Sequence, residues 1–138
     1  KGAIFGLNLT HGRGDLYRAA IEGIAFGTRH VIETYDAAGQ RPARIRAVGG
    51  GTKNGLWLQT TSDAGGFEQE VCGRTVGASF GDAFLAALAV GMAGPDDIHR
   101  WNPVAETVRP AANPVLDTRY GQFRALYDAT RDIAHDLG

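Results

Sequence analysis

The sequence contains a single cysteine, Cys72, among 138 residues. No internal disulfide can form, and a cluster of metal thiolates is excluded. No apolar run approaches the roughly 20 residues that a helix needs to cross a bilayer, and no secretory leader pattern opens the chain. Charge of one sign is also lacking: 14 Lys and Arg stand against 15 Asp and Glu, a formal net charge of −1. There is no basic stripe, so the electrostatic footprint of nucleic-acid binding is missing. His11, His30, His99 and His135 show no metal-ligand spacing such as His-Glu-x-x-His, so they read as solvent-facing or structural and no metal site is expected. Repeats, low-complexity tracts and Pro-rich linkers are absent. The expected setting is reducing and cytoplasmic, without membrane or nucleic-acid partners, and a homo-oligomer remains open.

What is abundant is glycine, at 20 residues, which implies tight turns and close backbone approaches. The chain starts at Lys1 rather than at methionine and runs straight into an apolar segment, so the expectation is a piece of something longer. Residues 3–9, Ala3 to Leu9, read as a strand or extended segment. Asp15 to Tyr35 reads as a long helix whose apolar stripe is Leu16, Ala20, Ile24, Val31 and Tyr35. Asp15 suits its first turn and Gly39 its stop. Gly23 and Gly27 inside it are expected to mark close packing against another element. Arg44–Val48 and Phe67–Val71 read as strands, with a helix at Lys53–Asp63 between them that turns Leu56, Trp57 and Thr60 inward. Phe80–Val90 reads as a compact Ala-rich helix. Residues 93–116 read as irregular, and Tyr120 to Leu137 as a closing helix. The alternation predicts an α/β domain with a mostly parallel sheet flanked by helices. The first helix should pack on that sheet.

Ligands in such sheets sit outside the carboxyl ends of strands. Val48-Gly49-Gly50-Gly51-Thr52-Lys53-Asn54 lies at that place, between a strand end and a helix start. Glycine lets a ligand approach the backbone, the helix N-terminus favours an anion, and Asn54 carries both a donor and an acceptor. A plain tight turn is the competing reading. The loop is neither a Walker A motif nor the dinucleotide fingerprint. A second glycine elbow, Ala78 to Ala83, reads either as a pocket wall or as ordinary capping by Ser79 with Asp82 in the first turn. Arg18 and Glu22 read as a structural pair four residues apart. Trp57 and Trp101 read as packing anchors. No acid–base constellation stands out, so no catalytic residue is assigned.

Three ordered segments together resemble the FGGY family of carbohydrate kinases, nearest its xylulokinase-like members. They are Gly2–Leu7 with Leu16–Ala25, then Val48–Asn54 running on to Trp57, Gln59 and Asp63, then Gly81–Ala87 ending at Gly91. The resemblance spans residues 1–138 and implies the later part of an actin-like (ribonuclease H-like) C-terminal domain. It implies that Gly50 and Asn54, and with them Gly49 and Gly51, hold ATP. In the full-length enzyme the γ-phosphoryl would pass, with Mg²⁺, to a ketopentose or polyol hydroxyl. The catalytic aspartate and sugar contacts would lie in an N-terminal domain outside this chain, leaving these 138 residues inactive alone. Asp82 departs from the resemblance, standing where relatives carry a small uncharged residue. The alternative is an autonomous nucleotide- or metabolite-binding module without catalysis.

Overall fold

The computed structural model describes residues 2–74 and 77–137. Its elements run α1 (Arg13–Ala37), β1 (Arg46–Ala47), a 3₁₀ turn (Gly50–Lys53), α2 (Gly55–Gly65), β2 (Gln69–Cys72) and α3 (Ala78–Ala89). A second 3₁₀ turn (Pro95–Asp97), α4 (Ile98–Trp101), β3 (Val104–Val108) and α5 (Pro114–Asp136) follow. The sheet order is β1-β2-β3. The expected parallel pairing is present between β1 and β2, with Arg46 opposite Glu70 and Ala47 opposite Val71. β3 adds an antiparallel pairing to β2, so the small sheet is mixed.

Local chemistry explains most boundaries. At the start of α1, Asp15 accepts from the Gly12 N–H at 2.8 Å. Gly39, at φ +72°, turns the chain out of that helix. α2 begins at Asn54, whose side chain accepts from Trp57 N, and ends at Gly66 in the left-handed region. α5 starts earlier than expected because Asn113 caps it and Pro114 occupies its first turn, a position where proline's missing N–H costs nothing.

Several expectations are corrected. Residues 3–9 form no strand, because they find no ladder partner among the described residues; Phe5 and Leu9 stand exposed. Residues 93–116 contain a helical turn and β3 rather than irregular chain. α1 packs mainly on α2 rather than on the sheet, and also touches α5. Its inward face is Ile21, Glu22, Ala25 and Phe26, while Ile24, Val31 and Tyr35 are exposed. A Cβ at Gly23 or Gly27 would meet nothing within 4 Å, so neither marks a close approach. On α2, Leu56 is exposed, and the buried set is Leu58, Thr60, Thr61, Ser62 and Ala64.

Two apolar clusters hold the fold. Ala25, Phe26, Ala64, Leu116 and Tyr120 join α1, α2 and α5, while Leu58, Val71 and Val108 join α2 to the sheet. Between α2 and the sheet, Gln69 Nε2 donates to Leu58 O at 2.8 Å and to Ser62 Oγ at 2.9 Å. Ser62 Oγ in turn donates to Val108 O at 3.2 Å. These bonds satisfy polar groups whose burial would otherwise cost free energy.

Candidate functional site

The Gly49–Asn54 loop leaves the carboxyl end of β1 and delivers the chain to the N-terminus of α2. Gly49 adopts φ 88°, ψ −172°, a region open essentially to glycine alone. Its carbonyl accepts from both Thr52 N (3.2 Å) and Thr52 Oγ1 (2.7 Å), which closes the turn. Asn54 N then donates to Gly51 O at 3.0 Å.

The fold places different demands on the three glycines. Gly49 is required by its backbone angles. Gly51 is favoured by Trp57, whose ring would stand 3.2 Å from a Cβ there and would have to shift by a few tenths of an ångström to admit one. Gly50 has neither reason: its φ is not positive, and a Cβ would meet nothing within 4 Å. Its bare backbone borders open space beside the start of α2. The first N–H groups of that helix, on Gly55 and Leu56, have no backbone or side-chain acceptor among the described residues. This is the arrangement that receives an anion or an acceptor-rich ligand.

Asn54 is fixed from two sides. Its Oδ1 accepts from Trp57 N at 3.2 Å, and its Nδ2 donates to Tyr17 Oη at 2.6 Å. Tyr17 belongs to the first turns of α1, so this bond brings that helix to the loop. No sequence spacing signals it, because the partners lie 37 positions apart. The loop thus gathers all four expected residues, Gly49, Gly50, Gly51 and Asn54, and adds Tyr17.

Other sequence candidates fall elsewhere. Glu22 is buried and holds Arg18 at 2.7 Å, as expected of a structural pair, and also Arg119 of α5 at 2.8 Å. Ser79 does not cap α3: the helix starts one residue before it, and Gly77 occupies the cap position. Asp82 is therefore past the first turn, and it faces solvent. Gln59 and Asp63 tie α2 to the segment before α5, through Gln59 Nε2 to Arg109 O (2.9 Å) and Ala111 N to Asp63 Oδ1 (2.8 Å). Trp101 packs edge-on to Phe84, with ring centroids 5.3 Å apart. Among the described residues, no group of His, Cys, Asp and Glu is placed to hold a metal ion.

A cavity of about 550 Å³ lies apart from the loop, lined by Arg29, Glu33, Asp36, Arg41, Arg44 and Glu70 among others. Its charges are spent on one another: Arg29 pairs with Glu33 (2.9 Å), Arg41 with Asp36 (3.2 Å) and Arg44 with Glu70 (2.9 Å). Volume alone would favour that cavity. The loop is the better candidate, because it offers unspent donors and a glycine without an internal reason.

The family profile described as the FGGY family of carbohydrate kinases, C-terminal domain, matches residues 1–90. The xylulose kinase of Bacillus subtilis is 33% identical over 137 residues, covering 96% of this chain and 28% of that protein. A glycerol kinase of Ligilactobacillus salivarius is 29% identical over 140 residues, covering 99% of this chain and 28% of that protein. The crystal structure of xylulose kinase from Rhodospirillum rubrum superposes with a TM-score of 0.79 at 32% identity, over 94% of this chain and 27% of that one. The chain thus spans little more than a quarter of the length of these relatives.

Proposed function

Since this chain belongs to the FGGY family of carbohydrate kinases, as part of the C-terminal domain, we propose that it forms the nucleotide side of an ATP-dependent sugar kinase. In this reading Gly49, Gly50, Gly51 and Asn54 hold the nucleotide. The observation that carries it is Gly50, whose missing side chain neither backbone angle nor neighbour explains. The open N–H groups of α2 and the amide of Asn54 supply neutral donors to an acceptor-rich ligand without a competing carboxylate in the loop. Phosphoryl transfer depends chiefly on positioning and charge stabilisation, so a rigid nucleotide cradle is a functional contribution in itself.

The contacts to the acceptor sugar and the carboxylate that orients its hydroxyl are assigned to parts of the enzyme outside this chain. Magnesium finds no ligand set among the described residues. That ion commonly binds through substrate phosphates and retained waters, so its coordination would arrive with the nucleotide. A ketopentose is the favoured acceptor, because the relatives from Bacillus subtilis and Rhodospirillum rubrum are xylulose kinases. The glycerol kinase match keeps polyols in the test. A cytoplasmic setting belongs to the same reading, since ATP is the co-substrate; no described helix is long and apolar enough to cross a membrane.

The test is ADP release by the full-length parent protein, supplied with ATP, Mg²⁺ and a panel of ketopentoses, polyols and sugar acids. Sugar-dependent ADP formation is expected with a ketopentose or polyol, and none from residues 1–138 alone. Silence of the parent across the whole panel would overturn the kinase reading. Turnover by the isolated chain would show that catalytic groups reside within it.

A further inference from the structure

We propose that Tyr17 is a positioning residue for nucleotide binding, acting through Asn54; the inference rests on the nucleotide-site reading above. A lone asparagine side chain at a helix start rotates freely and can offer its amide in several directions. Here both ends of the amide are committed. Oδ1 takes the Trp57 N–H at 3.2 Å, which fixes the amide plane relative to α2. Nδ2 gives one hydrogen to Tyr17 Oη at 2.6 Å, which fixes the same plane relative to α1. The second hydrogen on Nδ2 and the second lone pair on Oδ1 are then left in set directions.

Tyr17 accepts in this bond, so its own hydroxyl hydrogen is free to point away from Asn54. The residue is about half exposed, at 51%, so fold stability draws little from its burial. A tyrosine kept for packing alone would have no use for a hydroxyl at this point. Tyr17 also sits on the helix that carries the buried Glu22, which Arg119 of α5 clamps. The phenol is therefore mounted on a rigid element rather than on a loop. Fixing Asn54 before the ligand arrives lowers the ordering cost of binding.

The experiment uses the full-length parent protein in three forms, Tyr17→Phe, Asn54→Ala and the double variant. KM for ATP, KM for the sugar and kcat are measured, together with ADP affinity by titration calorimetry and thermal midpoint. Tyr17→Phe is expected to raise KM for ATP and the Kd of ADP about threefold to tenfold, the cost of ordering one side chain. The KM for sugar, kcat at saturating ATP and the thermal midpoint should hold. In the Asn54→Ala background, adding Tyr17→Phe should change nothing further, because the group it positions is gone. An unchanged ADP affinity in Tyr17→Phe, or the same loss with and without Asn54, overturns the positioning role. Unchanged ATP dependence in Asn54→Ala overturns instead the assignment of the site itself.

Discussion

Gly49 and Gly50 are neighbours in one loop and should respond oppositely to the same added methyl group. At Gly49 the backbone lies at φ 88°, ψ −172°, where a Cβ costs on the order of 1–3 kcal/mol. Gly49→Ala should therefore lower the unfolding free energy of the parent protein by that amount, read in urea as a lower midpoint at unchanged slope. At Gly50 the backbone is ordinary, and a Cβ meets open space. Gly50→Ala should leave stability unchanged or raise it by up to about 1 kcal/mol, the usual gain over glycine in a helical turn. It should nevertheless raise KM for ATP, because the methyl occupies space the nucleotide would need. A stable Gly50→Ala enzyme with wild-type ATP dependence would remove Gly50 from the site. The glycine run was legible in the sequence as a loop at the right place. Its division of labour was not, since the φ of Gly49 and the approach of Trp57 to Gly51 arise only on folding. Tyr17 stayed hidden for the same reason.

The helix α1 shows how periodicity locates an element yet misorients it. Its bounds are within two residues of those read from the sequence, but the stripe of Leu16, Ala20, Ile24, Val31 and Tyr35 is largely outward. An apolar pattern cannot count a glutamate as inward. Glu22 is inward only because Arg18 and Arg119 accompany it, and Arg119 lies on a helix 97 residues away. β3 was missed because most of its residues are exposed and so carry no inward pattern. Removing the carboxylate tests the Glu22 account. Glu22→Ala should cost about 1.5–3 kcal/mol, as for hydrogen bonds to a charged group, by loosening α5 from α1. Arg18 and Arg119 are both partly exposed and keep access to water, which holds the penalty below that of stranding a buried charge. A denaturation midpoint equal to wild type would reduce the pair to decoration.

The same two helices share a second polar link with a pH signature. Burial alone would raise the Glu33 carboxyl, but hydrogen bonds from Tyr120 and Arg29 outweigh it and hold the group below its ordinary 4.5. Burial, reinforced by Glu33, raises the Tyr120 phenol above its ordinary 10.0. For a carboxyl lowered on folding, stabilisation is fully present above the unfolded value and fades as pH falls through the folded one. For a phenol raised on folding, stability is lost as pH climbs past 10.0, where the unfolded chain ionises first. The parent's thermal midpoint should thus sag below about pH 4.5 and above about pH 10, and Glu33→Gln should flatten the acid limb in particular. An acid limb identical in Glu33→Gln and wild type would assign it to other carboxylates.

For the molecule as a whole, the alternation of strands and helices made the α/β class legible, and the parallel β1–β2 pair follows from it. The antiparallel return of β3 did not, because nothing in Val104–Val108 encodes strand direction. The outcome is a structure centred on α2, which packs against α1, α5 and β3 and contributes to both apolar clusters. α3 belongs to neither cluster; Phe84 instead meets Trp101 of α4. Such unequal anchoring divides a native state into units that open independently. In deuterated buffer, the amides of Leu58 to Ala64 should be the last to exchange, through global opening alone. Those of α3 should exchange through a cheaper, local excursion that leaves α2 shut. Equal exchange rates in both helices would mean that they open as one body. If the rates separate, the molecule carries the Gly49–Asn54 loop on the slow unit, so Asn54 stays in register while α3 breathes.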